Sequence, residues 1–375
     1  MTWYDERLEA RARAYEWSQS ALFILRFGLL YALAALFWTS GLARLLADGL
    51  RSYFSASWLW PMTHICFVAF SVLAYEIILF PLSVLAGFSL EQAYGRQPIE
   101  FNRWFMGYTG TLLLETLLWT AGFTALYSLM WLFPMWWWLV AGGAYAFFVI
   151  GLSVWGPSLL LPRVRAPVEV DDPSLLKRLR VVAGEAGLEL TGLAYWEVDE
   201  GNTAAPVILA GTGRKRNVIF STRAWRVYDP SQKLFVAARQ MAGHKSGADL
   251  KLIALQIALA LAVLYGADRI VERFVHGRGL ASAFLPELMP FWVVSLFGLT
   301  ALMGMGMHAL IRREELRCDR FALRHAGGKN VLLACLRRDF EYEPFAFHAS
   351  WWQLLFVRDA PSPEQRLTQA EQNPE

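Results

Sequence analysis

The chain has 375 residues, 56% of them hydrophobic, with 17 Trp, 25 Phe and a formal net charge of only +3. With a positive mean hydropathy, this excludes an ordinary soluble domain and a disordered chain and places the protein in a bilayer; no nucleic-acid motif accompanies the mild basicity, which suits a membrane surface better. The three cysteines, Cys66, Cys318 and Cys335, are scattered and odd in number, which argues against a disulfide framework.

In chain order, residues 1–19 (MTWYDERLEARARAYEW and the two that follow) are charged and amphipathic, lack a signal-peptide pattern and are expected to lie as a helix on the membrane surface. Spanning the hydrocarbon takes about 20 mostly apolar residues. Six stretches qualify: Ser20 to Leu42, Trp58 to Phe88, Phe105 to Phe133, Met135 to Leu161, Leu252 to Ala267, the shortest, and Leu288 to Ile311. Pro134 predicts a tight hairpin between the third and fourth, and Pro81 a kink or end in the second. The Trp-rich MWWWL reads as an interfacial aromatic belt. Between the fourth and fifth spans lies the main polar segment, Arg163 to Lys233, with strand-like runs LTGLAYWEV and NVIFST around the turn GTGRKR, a small α/β domain. Crossing six helices gathers most Arg and Lys on one side, the expected cytoplasmic side. Arg26, Glu76 and Glu115 lie within apolar spans, where a charge implies a wet interior or an ion pair between helices.

After the turn signal Asp229-Pro230 comes VAARQMAGHKSGAD, which has the setting of a zinc-binding helix but not the HExxH motif that such a helix needs: two imidazoles one turn apart and a carboxylate to activate zinc-bound water. Counting back from His244 puts Gln240 at the first His and Met241 at the catalytic Glu. Sliding the motif by one, onto Arg239 and Gln240, leaves Gly243 at the second His and does not restore it. Further on, EELRCDRFALRHAG holds Glu315 and Asp319 one turn apart, followed by Ala322. His308 shares the Glu315 face but stands about 10 Å along the axis, too far to share an ion with it.

The pattern Glu315, Asp319, Ala322 resembles the third-ligand helix of the M48 metallopeptidases, and FPLSVLAGFSLEQAYGRQ, GPSLLLPRVRAPVEVDDPSLLKRL, GTGRKRNVIFSTRAW and DAPSPEQRL resemble segments of their CAAX prenyl protease branch. The resemblance implies a mainly α-helical polytopic membrane protein of about six transmembrane helices with a small α/β cytoplasmic zincin-like domain. Its parts would be an amphipathic segment 1–19, four membrane helices in 20–162, a polar α/β part with the degenerate metal helix in 163–247, two membrane helices in 248–312, and the third-ligand helix with the C-terminal region in 313–375. It implies Glu315 and His244 as remnant metal ligands, Asp319 as their support, and Arg366 as the Arg of a substrate-facing HP…R motif. Ala360 replaces the His of that motif, and Pro206 stands where a substrate-pairing strand would carry an Asn, removing an amide donor. With Gln240 and Met241 at the lost positions, no cofactor is expected. The reading is a pseudo-peptidase that binds a hydrophobic or prenylated peptide, or a membrane partner, in contact with membrane lipid in a bacterial inner membrane; the rival is a divergent zinc metalloendopeptidase.

Overall fold

The computed structural model describes residues 4–55, 60–95, 99–155, 167–196, 206–211, 213–280 and 282–372. The chain is mostly helical and divides into two compact units, each assembled from segments distant in sequence: 1–16, 146–256 and 304–375 form one, and 17–145 with 257–303 the other.

The second unit is built from apolar helices. Glu6–Thr39 (α1), Leu42–Tyr53 (α2), Trp60–Val84 (α3), Leu90–Tyr94 (α4), Phe101–Leu132 (α5), Trp137–Trp155 (α6), Ala248–Gly277 (α10) and Met289–His325 (α11) contribute to it in whole or part. Among the described residues, five helical stretches are long and apolar enough to cross a membrane: 6–39, 61–94, 101–132, 250–277 and 286–325; Trp137–Ser153 is a shorter apolar helix. The hairpin at Pro134 is present, since α5 ends at Leu132 and α6 begins at Trp137. Pro81 lies inside α3; the α-helix yields three residues later to a π-turn, Leu85–Ser89, before resuming as α4. Pro81 lacks an amide and so weakens the preceding turn without ending the helix. The fifth span is longer than its apolar run, because the charged stretch after Ala267 continues the helix to Gly277. Residues 6–19 do not form a separate surface helix: no breaker separates them from the apolar run, and α1 is continuous. Arg26 and Glu76 pair, Nη2 standing 2.8 Å from Oε1 and 3.0 Å from Oε2, so α1 and α3 carry their charges as an ion pair. Glu115 is exposed on α5.

The first unit holds the polar domain. Its sheet runs in the order β1 (Val168–Glu169), β2 (Glu189–Trp196), β4 (Lys215–Ser221), β3 (Val207–Ala210); β2 and β4 are parallel, the other pairs antiparallel. The β3–β4 turn needs Gly211, at φ +122°, because a Cβ there would meet the Lys215 carbonyl at 2.5 Å. Helices α7 (Pro173–Glu185), α8 (Thr222–Val227), α9 (Pro230–Ser246), α12 (Lys329–Tyr342), α13 (Trp351–Phe356) and α14 (Pro363–Gln372) complete it, with the inner end of α11. The core gathers Leu179, Val218, Phe220, Phe235, Ala238, Met241, Ala322 and Leu332. The first three turns of α1 and Tyr4 before them belong here: Glu16 accepts hydrogen bonds from the Ala346 amide at 2.9 Å and Arg358 Nη1 at 3.0 Å, and Tyr4 stacks on Phe347.

Candidate functional site

Helix α9 is set by a strong start. Asp229 accepts from the amides of Ser231 and Gln232 at 2.8 and 2.9 Å, Gln232 Oε1 accepts from the Asp229 amide at 3.0 Å, and Pro230 occupies the first helical position. The bonds to Ser231 and Gln232 outweigh burial and hold the Asp229 carboxyl below the usual carboxylate range. The helix ends at Gly247, in the left-handed conformation. Between these ends, Leu234, Ala238 and Met241 fall at i, i+4 and i+7 and are all buried, which fixes which face meets the core.

That rotation determines what each candidate residue does. Met241 is fully buried in the core, while Gln240 is exposed and His244 half-buried. Arg239 reaches across to α11: its Nη2 pairs with Glu315 Oε2, and its Nε stands 2.6 Å from Asp319 Oδ1, close as an ion pair without the alignment of a hydrogen bond. Asp319 is wholly buried. Arg366, on α14, takes the same carboxylate from the other side, Nε donating to Oδ2 at 2.8 Å and Nη2 to Oδ1 at 3.0 Å, a bidentate pair. Burial works against the Arg366 charge, but Asp319 more than offsets it and the guanidinium's pKa is raised. Arg366 is thus neither a solvated surface residue nor a helix cap; it holds the α11 carboxylate in place.

The site therefore joins α9, α11 and α14 through two carboxylates and two guanidiniums. Sequence reasoning named Glu315, Asp319 and Arg366 and passed over Arg239, weighing it only as a zinc ligand, which it cannot be. The signal that finds it is the i, i+4, i+7 apolar spacing, which turns Met241 inward and Arg239 towards α11. Arg239 and Gly243 lie four residues apart on one face; Gln240 and His244 share the next, about 100° round the helix.

A zinc ion needs about four N, S or O donors converging on it, with thiolates and imidazoles deprotonated. The donor set does not fit that requirement: Glu315 and Asp319 already bind a permanent cation of the chain, and a second cation between them would face the Arg239 guanidinium. Burial, with Asp339 beside it, pushes the Cys335 thiol up to about 12, so it is no thiolate. Among the described residues no group of three or more His, Cys, Asp or Glu is placed to hold a metal ion. The remaining imidazoles have other engagements: His64 with the Phe284 carbonyl, His276 with the Glu272 carbonyl, His308 with the Leu355 carbonyl, His325 on the Phe321 ring, and His348 with Glu364.

Beside this site, β3 lies at the end of the sheet order, with Pro206 exposed just before it and the Pro206 carbonyl accepting from the Ser221 amide at 3.0 Å. Behind α9, Tyr228 donates to Asp339 Oδ1 at 2.5 Å, and Arg223 stands 3.9 Å from both Asp339 and Glu343.

Residues 2–165 match the family model described as CAAX prenyl protease N-terminal, five membrane helices. The fold is similar to that in the crystal structure of S. mikatae Ste24p, with a TM-score of 0.76 over 98% of this chain and 90% of that one, at 14% sequence identity. No curated protein matches the sequence.

Proposed function

We propose that this membrane protein, whose residues 2–165 match the CAAX prenyl protease N-terminal model, is a pseudo-peptidase of the M48 type, binding a hydrophobic or lipid-linked peptide, or a membrane partner, without cleaving it. The observation that carries this reading is the ion pairing of Arg239 with Glu315 and Asp319. Arg239, Gln240 and Gly243 then stand where the resemblance asks for His, Glu and His, one residue earlier than counting back from His244 suggests. Arg239 supplies the positive charge that the carboxylates would take from a metal. Gln240, exposed next to it, has an amide that cannot accept a proton at neutral pH, so no general base is present at that position. Edge strand β3 supports the binding half of the reading, because an extended peptide can add to a sheet edge through its main chain; Pro206, without an amide hydrogen, limits that pairing at one end. On this reading the protein sits in a bacterial inner membrane with its polar unit on the cytoplasmic face.

The test is metal content and proteolysis on the purified full-length protein. The expected result is zinc well below one per chain and no cleavage of a prenylated peptide. About one tightly held zinc per chain, lost on Glu315→Ala, would overturn the reading in favour of a divergent metallopeptidase.

A further inference from the structure

One face of α11 changes character where the apolar helix ends. Leu310 is exposed on it; then come Arg313, Arg317, Arg320 and Arg324, at spacings of four, three and four, all exposed. At 100° per residue these four lie within about 60° of arc, on the side opposite Asp319, Ala322 and Ala326, which face the core. Arg317 pairs with Glu314, while Arg313, Arg320 and Arg324 have no ion-pair partner among the described residues. Next to this file lies a cavity of about 280 Å³ lined by Ala242, Lys245, Arg317, Cys318 and Phe321. The Lys245 ammonium stands over the Phe321 ring, 5.2 Å from its centroid. The cavity's lining thus combines an ammonium and a guanidinium with an aromatic ring and a methyl group.

We propose that this cavity and the arginine file bind an anionic phospholipid, its phosphate between Lys245 and Arg317 and its apolar stem against Phe321 and Ala242. Two features select a lipid. Helix α11 is one of those long and apolar enough to cross the membrane, so the file begins where such a helix leaves the hydrocarbon. A phosphate alone would use the cations but not the ring and methyl that make up the rest of the lining. The file runs roughly 16 Å along the axis, so Arg313 and Arg317 sit at headgroup depth while Arg320 and Arg324 act within about a Debye length of the surface.

Cys318 lines the cavity and reports on it. Full-length protein in a neutral detergent is treated with N-ethylmaleimide, and modification of Cys318 is followed by peptide mass spectrometry in the presence of phosphatidylglycerol, phosphatidylcholine or inorganic phosphate. Phosphatidylglycerol should slow Cys318 modification, with Cys66 modification unchanged, and phosphatidylcholine should not. Each of Lys245→Gln and Arg317→Gln should weaken the protection roughly fivefold, and Arg324→Gln less, as expected for one charge near an anionic surface. Equal protection by phosphatidylcholine, or full protection in the Lys245→Gln/Arg317→Gln double variant, would overturn the site. Equal protection by inorganic phosphate would overturn its assignment to lipid.

Discussion

At the residue scale, Arg239 decides what the site can be. A carboxylate pair of which one member is fully buried is costly unless a cation is held against it, and here the chain supplies two. That arrangement separates two ways of rebuilding a metal site. Gln240→His with Met241→Glu, the pair suggested by counting back from His244, puts a carboxylate into the core position of Met241, where it has no partner and costs several kcal/mol. Arg239→His, Gln240→Glu and Gly243→His together place two imidazoles one turn apart on the face that meets Glu315 and remove the competing cation. Equilibrium dialysis against zinc should therefore give about one ion per chain for the triple variant and none for the double one, which should also be poorly folded. Zinc bound by the double variant and refused by the triple one would reverse the register inferred here. Cleavage asks for more than metal, since Pro206 and Ala360 still stand where the resemblance places substrate contacts.

At the element scale, much was legible and the gaps have physical causes. Apolar runs announced the membrane helices, and Pro134 their tightest hairpin, because length and hydropathy are set by the bilayer and need no partner to be read. Helix α2 and the π-turn after Pro81 were not legible: a 12-residue helix carries a weak signal, and an extra residue in a turn follows from packing. Strand β3, four residues long, was legible only through the resemblance, as the strand expected at Pro206. The site helix gave up its identity but not its rotation, although Leu234, Ala238 and Met241 contained it. Helices α8 and α12 are tied by Tyr228 and Asp339, and this tie predicts a pH dependence. Burial raises the Asp339 carboxyl above its ordinary range, against the opposing pull of Tyr228 and Arg223. A carboxyl raised in the folded state contributes stability that is present below its unfolded pKa and is lost as pH rises through the folded one. The Asp172 and Asp229 caps, both lowered, act in the opposite sense, losing their contribution as pH falls through the lowered values. Asp339→Asn keeps an acceptor for Tyr228 and removes the titration. Its melting temperature relative to the parent should rise as pH goes from about 4 to 7. A constant difference across that range would mean that Asp339 titrates alike folded and unfolded. Asp229→Ala, by contrast, should cost about 1 kcal/mol at neutral pH by uncapping α9.

At the scale of the whole molecule, the connectivity of the polar unit counts the membrane crossings. On the proposed reading, which puts the polar segments 1–16, 167–247 and 313–372 on one face of the membrane, each stretch of chain between them crosses the bilayer an even number of times. The ion pair of Glu16 with Arg358 ties the first departure to the C-terminal region directly. Between residues 17 and 145 three helices, α1, α3 and α5, are long and apolar enough to cross, and three is odd. Helix α2, with 12 residues, reaches only about 18 Å against the roughly 30 Å of hydrocarbon, whereas the 19 residues of α6 reach about 28 Å. On that reading the fourth crossing is α6, and α10 with α11 makes six in all. The matched family model describes five membrane helices, a number met among the described residues of this region only if α2 is included. Both counts keep α6 as a crossing and so place the α5–α6 hairpin on the side opposite residue 371, which a labelling experiment tests. In a background with Cys66, Cys318 and Cys335 replaced by Ser, Met135→Cys and Glu371→Cys are each exposed to a membrane-impermeant maleimide on intact cells and on inverted vesicles. Six crossings require the two positions to react from opposite sides, because α6 alone separates the hairpin from the polar unit. If both reacted from the same side, α6 would not cross, and the parity drawn from the polar unit would fail with it.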